Sequence, residues 1–290
     1  MRSTLLHLRV PFSYFLLPVY IFALGVSPNF YGSQLIWSFV IIHFMLYPAS
    51  NGFNSYFDKD EESIGGLKNP PPVNKSLYYV SLLLDLVAIV LAYWKISVLF
   101  ALMILIYGLI SKAYSHPSIR VKKYPILGWL TVGFFQGCFS FLMCYVGIND
   151  FGMETLLNSK VIIPAWLSTV MLLGNYPMTQ VYQHEEDAKH GDKTMSMLLG
   201  IRGTFIFVQI VFALATAGFI FYFNSFFTSK LSYTFVISLL PVVLFFMIWF
   251  YQVWNDNSKA DHSRTMWLNF ISATCLNSFF VYFFLVNSHL

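Results

Sequence analysis

Apolar residues run through this chain in blocks of about twenty, each closed by a short polar stretch, without the alternation of a half-buried strand. As a helix, a block of that length crosses a hydrocarbon layer ~30 Å thick. The pattern predicts nine such helices, near 10–28, 34–54, 76–94, 96–115, 125–147, 161–184, 203–224, 232–254 and 265–287. The longest polar stretches, at 55–75 and 185–202, are too short for a soluble domain, so 1–290 is read as one transmembrane domain. The block from Val10 is too long for a signal peptide and lacks a small-residue cleavage site, so it counts as the first span.

Composition agrees with the pattern. The chain is 57% hydrophobic and 10% charged, where a soluble domain carries about 25% charged residues. With nine spans, the N-terminus and the connections after spans 2, 4, 6 and 8 share one face. That face holds 14 of the 17 Lys and Arg residues, leaving only Lys95, Lys160 and Lys230 opposite. The positive-inside rule then predicts a cytoplasmic N-terminus. The net charge of +4 reflects this topology, and no nucleic-acid partner is implied. Cys138, Cys144 and Cys275 fall within predicted spans without CxxC spacing and read as apolar filler.

The acidic residues are concentrated. Eight of the 13 lie in two clusters, Asp58 to Glu62 and Glu185 to Asp192, each following a long apolar block on the predicted cytoplasmic face. Residues four apart share a helix face, which predicts one stripe of Asn54, Asp58 and Glu62 and another of Gln180, Gln183 and Asp187. Two such stripes facing each other would surround a wet cavity with carboxylate and amide oxygens. Hard oxygen ligands suit Mg²⁺, which is held by one or two carboxylates together with substrate phosphate oxygens. His184 and His190 lie close by, but an oxygen-rich site favours a hard cation over zinc. Arg120 and Lys122, on the connection after span 4, could pair with the same diphosphate. Asp85 stands alone inside a span, either as a functional residue or as a structural one facing other helices.

These residues resemble the UbiA-type membrane prenyltransferases along nearly the whole chain. Asn54, Asp58 and Glu62 match that family's first motif, with Glu in place of its last Asp; Lys68, Pro70 and Lys75 resemble its basic continuation. Asp187, Gly191 and Thr194 match the second motif, but its first Asp is Gln183 here. The segment from Tyr114 to Lys122 resembles the family's basic loop, and Arg9 occupies the place of an Arg at the start of its first helix. The resemblance implies an all-α fold of about nine transmembrane helices, two pseudo-repeated four-helix halves around a central cavity. It implies Mg²⁺ as cofactor, held by Asn54, Asp58, Glu62, Gln183, Glu186 and Asp187, with Asp58 and Asp187 catalytic. Glu186 would supply the charge that Gln183 lacks. Arg9, Lys112, Arg120 and Lys122 would bind the diphosphate.

The activity implied is transfer of a prenyl group from a prenyl diphosphate to a lipophilic, aromatic acceptor in the membrane. Three other readings stand beside it, of which a membrane transferase acting on nucleotide-activated alcohols lacks the Asp-Gly and Ala-Arg pattern of such enzymes here. A transporter would place ion-binding carboxylates near the bilayer midplane, whereas these clusters sit at helix ends. A member of the same fold that binds prenyl lipid without turnover would be consistent with Gln183.

Overall fold

The computed structural model describes residues 2–28 and 32–288. Within them lie nine candidate membrane spans if the bent first pair counts as one. α1 is that pair, Arg2–Phe15 and Leu17–Val26, turned by 43°. The bend falls at Leu16, just before Pro18 in the first turn of the second segment; within the first segment Arg9 takes a left-handed φ of 47° ahead of Pro11. The other spans are α2 (Gly32–Asp58), α3 (Ser76–Lys95), α4 (Val98–Ser115), α5 (Pro125–Asn149), α6 (Ser159–Thr179), α7 (Met195–Phe226), α8 (Ser229–Asn255) and α9 (His262–Asn287). Among the described residues no strand forms, only an isolated bridge between Ile64 and Leu67. The expected all-α, polytopic fold is therefore present.

Among the ends that differ from the hydrophobic pattern, two have a clear local reason. α6 stops at Thr179 because Pro177 lies in a tightened final turn over Tyr176–Thr179. α7 starts earlier than expected, but Gly200, with a φ of 70°, kinks it before the long apolar stretch begins. A residue with a Cβ would be strained at that φ.

Aromatic rings pack the end of the bundle remote from the charged connections. Phe22 stacks on Phe280 at 4.4 Å and meets Phe141, Phe219 and Tyr222 from α5 and α7. In lipid, such van der Waals packing carries helix association, because the surrounding tails are as apolar as the side chains. Small residues allow the closest approach. A Cβ on Gly137 of α5 would lie 2.4 Å from Thr169 Cα of α6, and the Cys138 N–H donates to Thr169 Oγ1 at 2.8 Å. Cys138, Cys144 and Cys275 are free thiols within α5 and α9, as expected of filler.

The connections after α2, α4, α6 and α8 gather at the opposite end. The Lys193 N–H donates to the Lys123 carbonyl at 3.4 Å, and His262, which opens α9, contacts the Ile64 carbonyl through Nε2 at 3.0 Å. α2 and α6 both run into acidic motifs at this end, four spans apart.

Candidate active site

Each acidic motif meets the cavity at a helix end. α2 ends at Asp58 because Lys59 turns left-handed, φ 53°, and its N–H closes on the Ser55 carbonyl. Asn54 and Asp58 therefore share a face, and Asn54 Nδ2 donates to Asp58 Oδ2 at 2.8 Å. The helix ends before it can carry Glu62 onto that face, which corrects the expected three-residue stripe. Glu62 is exposed and pairs with Lys189 at 2.9 Å. Asp60 lines the cavity in its stead.

After α6 the chain turns through 180–183 into a short helix, His184–Lys189. The Asp187 N–H donates to the Gln183 carbonyl at 2.8 Å, which keeps these two residues on one side. No helix runs through 180–183, so Gln180 does not continue a helical stripe; it still lines the same cavity as Gln183 and Asp187, and its Oε1 accepts from the Ser196 N–H at 3.3 Å.

The cavity between these ends has a volume of about 220 Å³. Asn54, Asp58, Asp60, Gln183, Asp187 and Asp192 line its polar end together with Arg9 and Lys122. Phe12, Phe15, Tyr107, Tyr114, Tyr176 and Leu172 line the remainder. Lys122 Nζ lies 2.6 Å from Asp58 Oδ2 and 3.1 Å from Asp192 Oδ2. Arg120 grips Asp192 with a fork, Nε to Oδ1 at 2.7 Å and Nη2 to Oδ2 at 2.8 Å, and reaches Asp58 at 3.5 Å. A left-handed turn at Arg120, φ 44°, brings both basic side chains to the same carboxylates.

Carboxylate outweighs its nearby cations here. Burial pushes the Asp187 carboxyl up to about 7, opposed by Lys122 and reinforced by Asp192, Asp60 and Asp58. Burial likewise raises Asp60 to about 6, with Asp58 adding to the effect. The Lys122 ammonium is buried too, yet Asp58 and Asp192 hold its pKa above the ordinary value. Asp58 Oδ1 is buried without a hydrogen-bond donor. An oxygen-only donor set with surplus negative charge fits a hard divalent cation. Beside it, ligand atoms of Asp60, Glu186 and His190 lie within 4.8 Å of one another.

Several expected residues do other work. Glu186 is buried outside the cavity lining. Its Oε1 accepts the Glu61 N–H at 3.2 Å and its Oε2 meets Lys189 at 3.0 Å, so it ties the two acidic loops together. Gln183 Nε2 donates to the Ser63 carbonyl at 3.2 Å, a second tie between the same loops. Arg9 lines the cavity and donates to the Gly65 and Asn51 carbonyls at 3.1 and 3.4 Å. Lys112 does not reach the cavity, a correction to its expected place. Its ammonium pairs with Asp85 of α3 and lies 5.2 Å from the Phe53 ring. That ion pair also accounts for Asp85.

Asp60 and Asp192 were not singled out by spacing. Asp192 had one signal available: it follows Gly191, whose φ of 71° turns the chain back so that the Asp192 N–H meets the Asp187 carbonyl at 2.9 Å.

Beyond Leu172 and Asn175 the space continues between α1, α6, α7 and α9, past Phe212 and Leu276. It adjoins an apolar groove of about 480 Å³ lined by Met171, Val208, Phe212, Val242 and Phe246.

A polytopic helical bundle with opposed acidic motifs over an apolar cavity defines a class of membrane protein that handles a charged head on a greasy tail. The model of the UbiA prenyltransferase family matches residues 13–272, and the chain belongs to that family. The digeranylgeranylglyceryl phosphate synthase of Methanococcoides burtonii is 26% identical over 244 residues, covering 82% of this chain and 81% of that one. A UbiA homologue from Archaeoglobus fulgidus has been solved bound to GPP and Mg²⁺. It matches with a TM-score of 0.69 at 17% identity, over 99% of this chain and 100% of that one. The same homologue bound to DMAPP and Mg²⁺ gives 0.70 at 16% identity, over 99% of each chain. At these identities the structural likeness is one of fold.

Proposed function

We propose that this protein transfers a prenyl group from a prenyl diphosphate to a lipophilic acceptor carrying an electron-rich ring, with Mg²⁺ at the carboxylate end of the cavity. The observation that carries this reading is the placement of Asp58, Asp60, Asp187 and Asp192, with Lys122 and Arg9, at the mouth of a cavity that turns aromatic and then apolar within one continuous space. Asn54, Asp58, Asp60, Gln183 and Asp187 would hold the metal, which supplies neutralisation of the diphosphate charge. The Mg²⁺-bound A. fulgidus structures support that assignment.

In this reading Lys122 and Arg9 meet the diphosphate oxygens, and Arg120 steadies the site through Asp192. Lys122 is shared between Asp58 and Asp192, so an arriving anion competes with two carboxylates for one ammonium. As the allylic C–O bond breaks, its electron pair leaves with the diphosphate, where these cations stabilise it. Tyr107, Tyr114 and Tyr176 line the space behind and shield the cation by their ring faces. The acceptor's π electrons form the new C–C bond, and the proton displaced from that carbon passes to the departing diphosphate. Loops 59–75 and 180–194, tied by Gln183–Ser63 and Glu186–Glu61, exclude water that would quench the cation. The tail would lie along Leu172, Phe212 and Leu276. The basic asymmetry supports a cytoplasmic position for this end of the bundle, with residues Arg2 to Arg9.

Membranes carrying the protein, given labelled prenyl diphosphates of graded length, Mg²⁺ and a panel of acceptors, should release diphosphate and form a labelled lipid. No release above that of membranes carrying Asp58→Asn would refute the proposal.

A further inference from the structure

A second cavity opens from the first, between α2, α4 and α5, with a volume of about 170 Å³. Seven residues line both spaces, among them Asn51, Asn54, Tyr107, Tyr114 and Tyr176, and so join it to the cavity that holds the carboxylates, whereas Ser111, Ser115 and Thr131 line the second space alone. Its wall carries Ser50, Asn51, Ser111, Ser115, Thr131 and Gln136, and no Asp, Glu, Lys, Arg or His.

Polar side chains between membrane helices ordinarily serve as glue, and some do so here. Ser50 and Ser111 bond across α2 and α4, Asn54 Nδ2 donates to Ser115 Oγ at 3.0 Å, and Gln136 bonds Tyr107. Asn51 and Thr131 differ. Among the described residues neither side chain has a hydrogen-bond partner, yet both line this cavity. Asn51 lies seven residues below the end of α2 at Asp58, roughly 10 Å at the helical rise. At that depth an unsatisfied amide or hydroxyl is costly, unless a polar guest meets it.

Charge decides what the guest is. A carboxylate or phosphate here would be buried without a counter-ion. The ammonium of Lys112 is committed to Asp85, and that of Lys122 to Asp58 and Asp192; Arg9, which donates to the Asn51 and Gly65 carbonyls, lines the first cavity only, where the diphosphate engages it. The outer edge, Ile110 and Phe135, is apolar and leads between α4 and α5.

We propose that this cavity is the acceptor subsite and that it receives an uncharged, hydroxylated ring, held by Asn51 and Thr131, in preference to a headgroup bearing a carboxylate or phosphate. The inference rests on the prenyl-transfer reading above and adds the acceptor class to it. A ring seated there has its inner edge at Tyr114 and Tyr176, beside the place where the allylic carbon ionises. The ring's π pair forms the bond to that carbon, the C–O pair leaves with the diphosphate, and the proton lost from the ring goes with it.

The full chain in lipid nanodiscs is given farnesyl diphosphate or geranylgeranyl diphosphate, Mg²⁺ and one of three acceptors: a methylated hydroquinone, the same ring bearing a carboxylate, or a glyceryl phosphate ether lipid. The hydroquinone should be prenylated with kcat/KM at least ~100-fold above either anionic acceptor, the scale set by leaving a buried charge unpaired. Thr131→Val and Asn51→Leu should each raise KM for the hydroquinone by ~10-fold, about one hydrogen bond. KM for the prenyl diphosphate should stay within ~2-fold in Thr131→Val, whose side chain lines only the second cavity, which shows that this variant folds and that ground-state acceptor binding alone was lost. Equal or better use of either anionic acceptor overturns the inference while leaving prenyl transfer standing. Unchanged hydroquinone KM in both variants also overturns it. Failure to release diphosphate with any acceptor overturns the prenyl-transfer reading and the inference together.

Discussion

Gln183 donates its side-chain amide to the Ser63 carbonyl at 3.2 Å, joining two loops 120 residues apart at the mouth of the cavity. An ionised Asp in that position could accept from a donor but could not donate to a carbonyl. The departure from the family's second motif therefore exchanges a negative charge for a tie between loops.

Gln183→Asp should accordingly weaken the enzyme rather than improve it. Loss of one hydrogen bond and a repelled carbonyl predict a ~10-fold rise in KM for the prenyl diphosphate, about 1.4 kcal/mol. Glu186→Leu, which removes the acceptor of the second tie, should not be rescued by adding Gln183→Asp. Steady-state kinetics on both single variants and the double variant would detect it, and restored activity in the double variant would contradict this account.

Asp58→Asn and Asp187→Asn should each lower turnover at least ~100-fold, about 3 kcal/mol, while the protein still purifies as a folded species. The two effects should fall well short of additive, since residues acting on one metal and one diphosphate behave as a unit.

Arg120→Lys is not a conservative change. The fork on Asp192 at 2.7 and 2.8 Å has no counterpart in a single ammonium. A loss of ~10-fold or more in kcat/KM is expected, with Asp192→Asn giving a similar loss through the freed Lys122. Retention of full activity in both variants would show that the ion-pair network is dispensable.

Titration of Asp187 gives a pH signature. Its carboxyl, raised to about 7 by burial and then by neighbouring acids, keeps its proton in the folded, metal-free state over a range where the unfolded chain has released it. Stability of the metal-free protein therefore falls as pH rises from about 4 to 7. Mg²⁺ needs the ionised form, so its affinity should rise over the upper part of that range, with about one proton released per site filled. Thermal shifts with and without Mg²⁺ at pH 5.5 and 8 should show greater metal stabilisation at the higher pH. Asp187→Asn should flatten the difference.

Much of this arrangement was legible before any coordinates. Nine blocks of lipid-spanning length gave the fold, because membrane helices must each bury a full apolar length. Asn54, Asp58, Asp187 and Lys122 were readable because helical spacing and motif order set where they fall. Glu62 was misplaced because a helix end depends on where the chain turns left-handed, at Lys59, which a run of polar residues does not announce. Asp192 and Asp60 escaped notice because their positions depend on turns, at Gly191 and after Asp58, rather than on a period. Lys112 was misplaced because its partner, Asp85, lies on a neighbouring helix.

That last pair bears on how the protein is made. Asp85 and Lys112 lie on α3 and α4, which are joined by only Ile96 and Ser97. A charge at the centre of a span costs about 2.5–3.5 kcal/mol at insertion; Asp85 lies midway along α3, and Lys112 lies in the last turn of α4. Presented one at a time to the translocation machinery, each would be a poorer client than its apolar length suggests. Entering together as a hairpin, they neutralise each other before they meet lipid. Replacing Asp85 with Leu should then strand the ammonium of Lys112 during biogenesis, lowering the yield of inserted protein, while Asp85→Leu combined with Lys112→Leu should restore it.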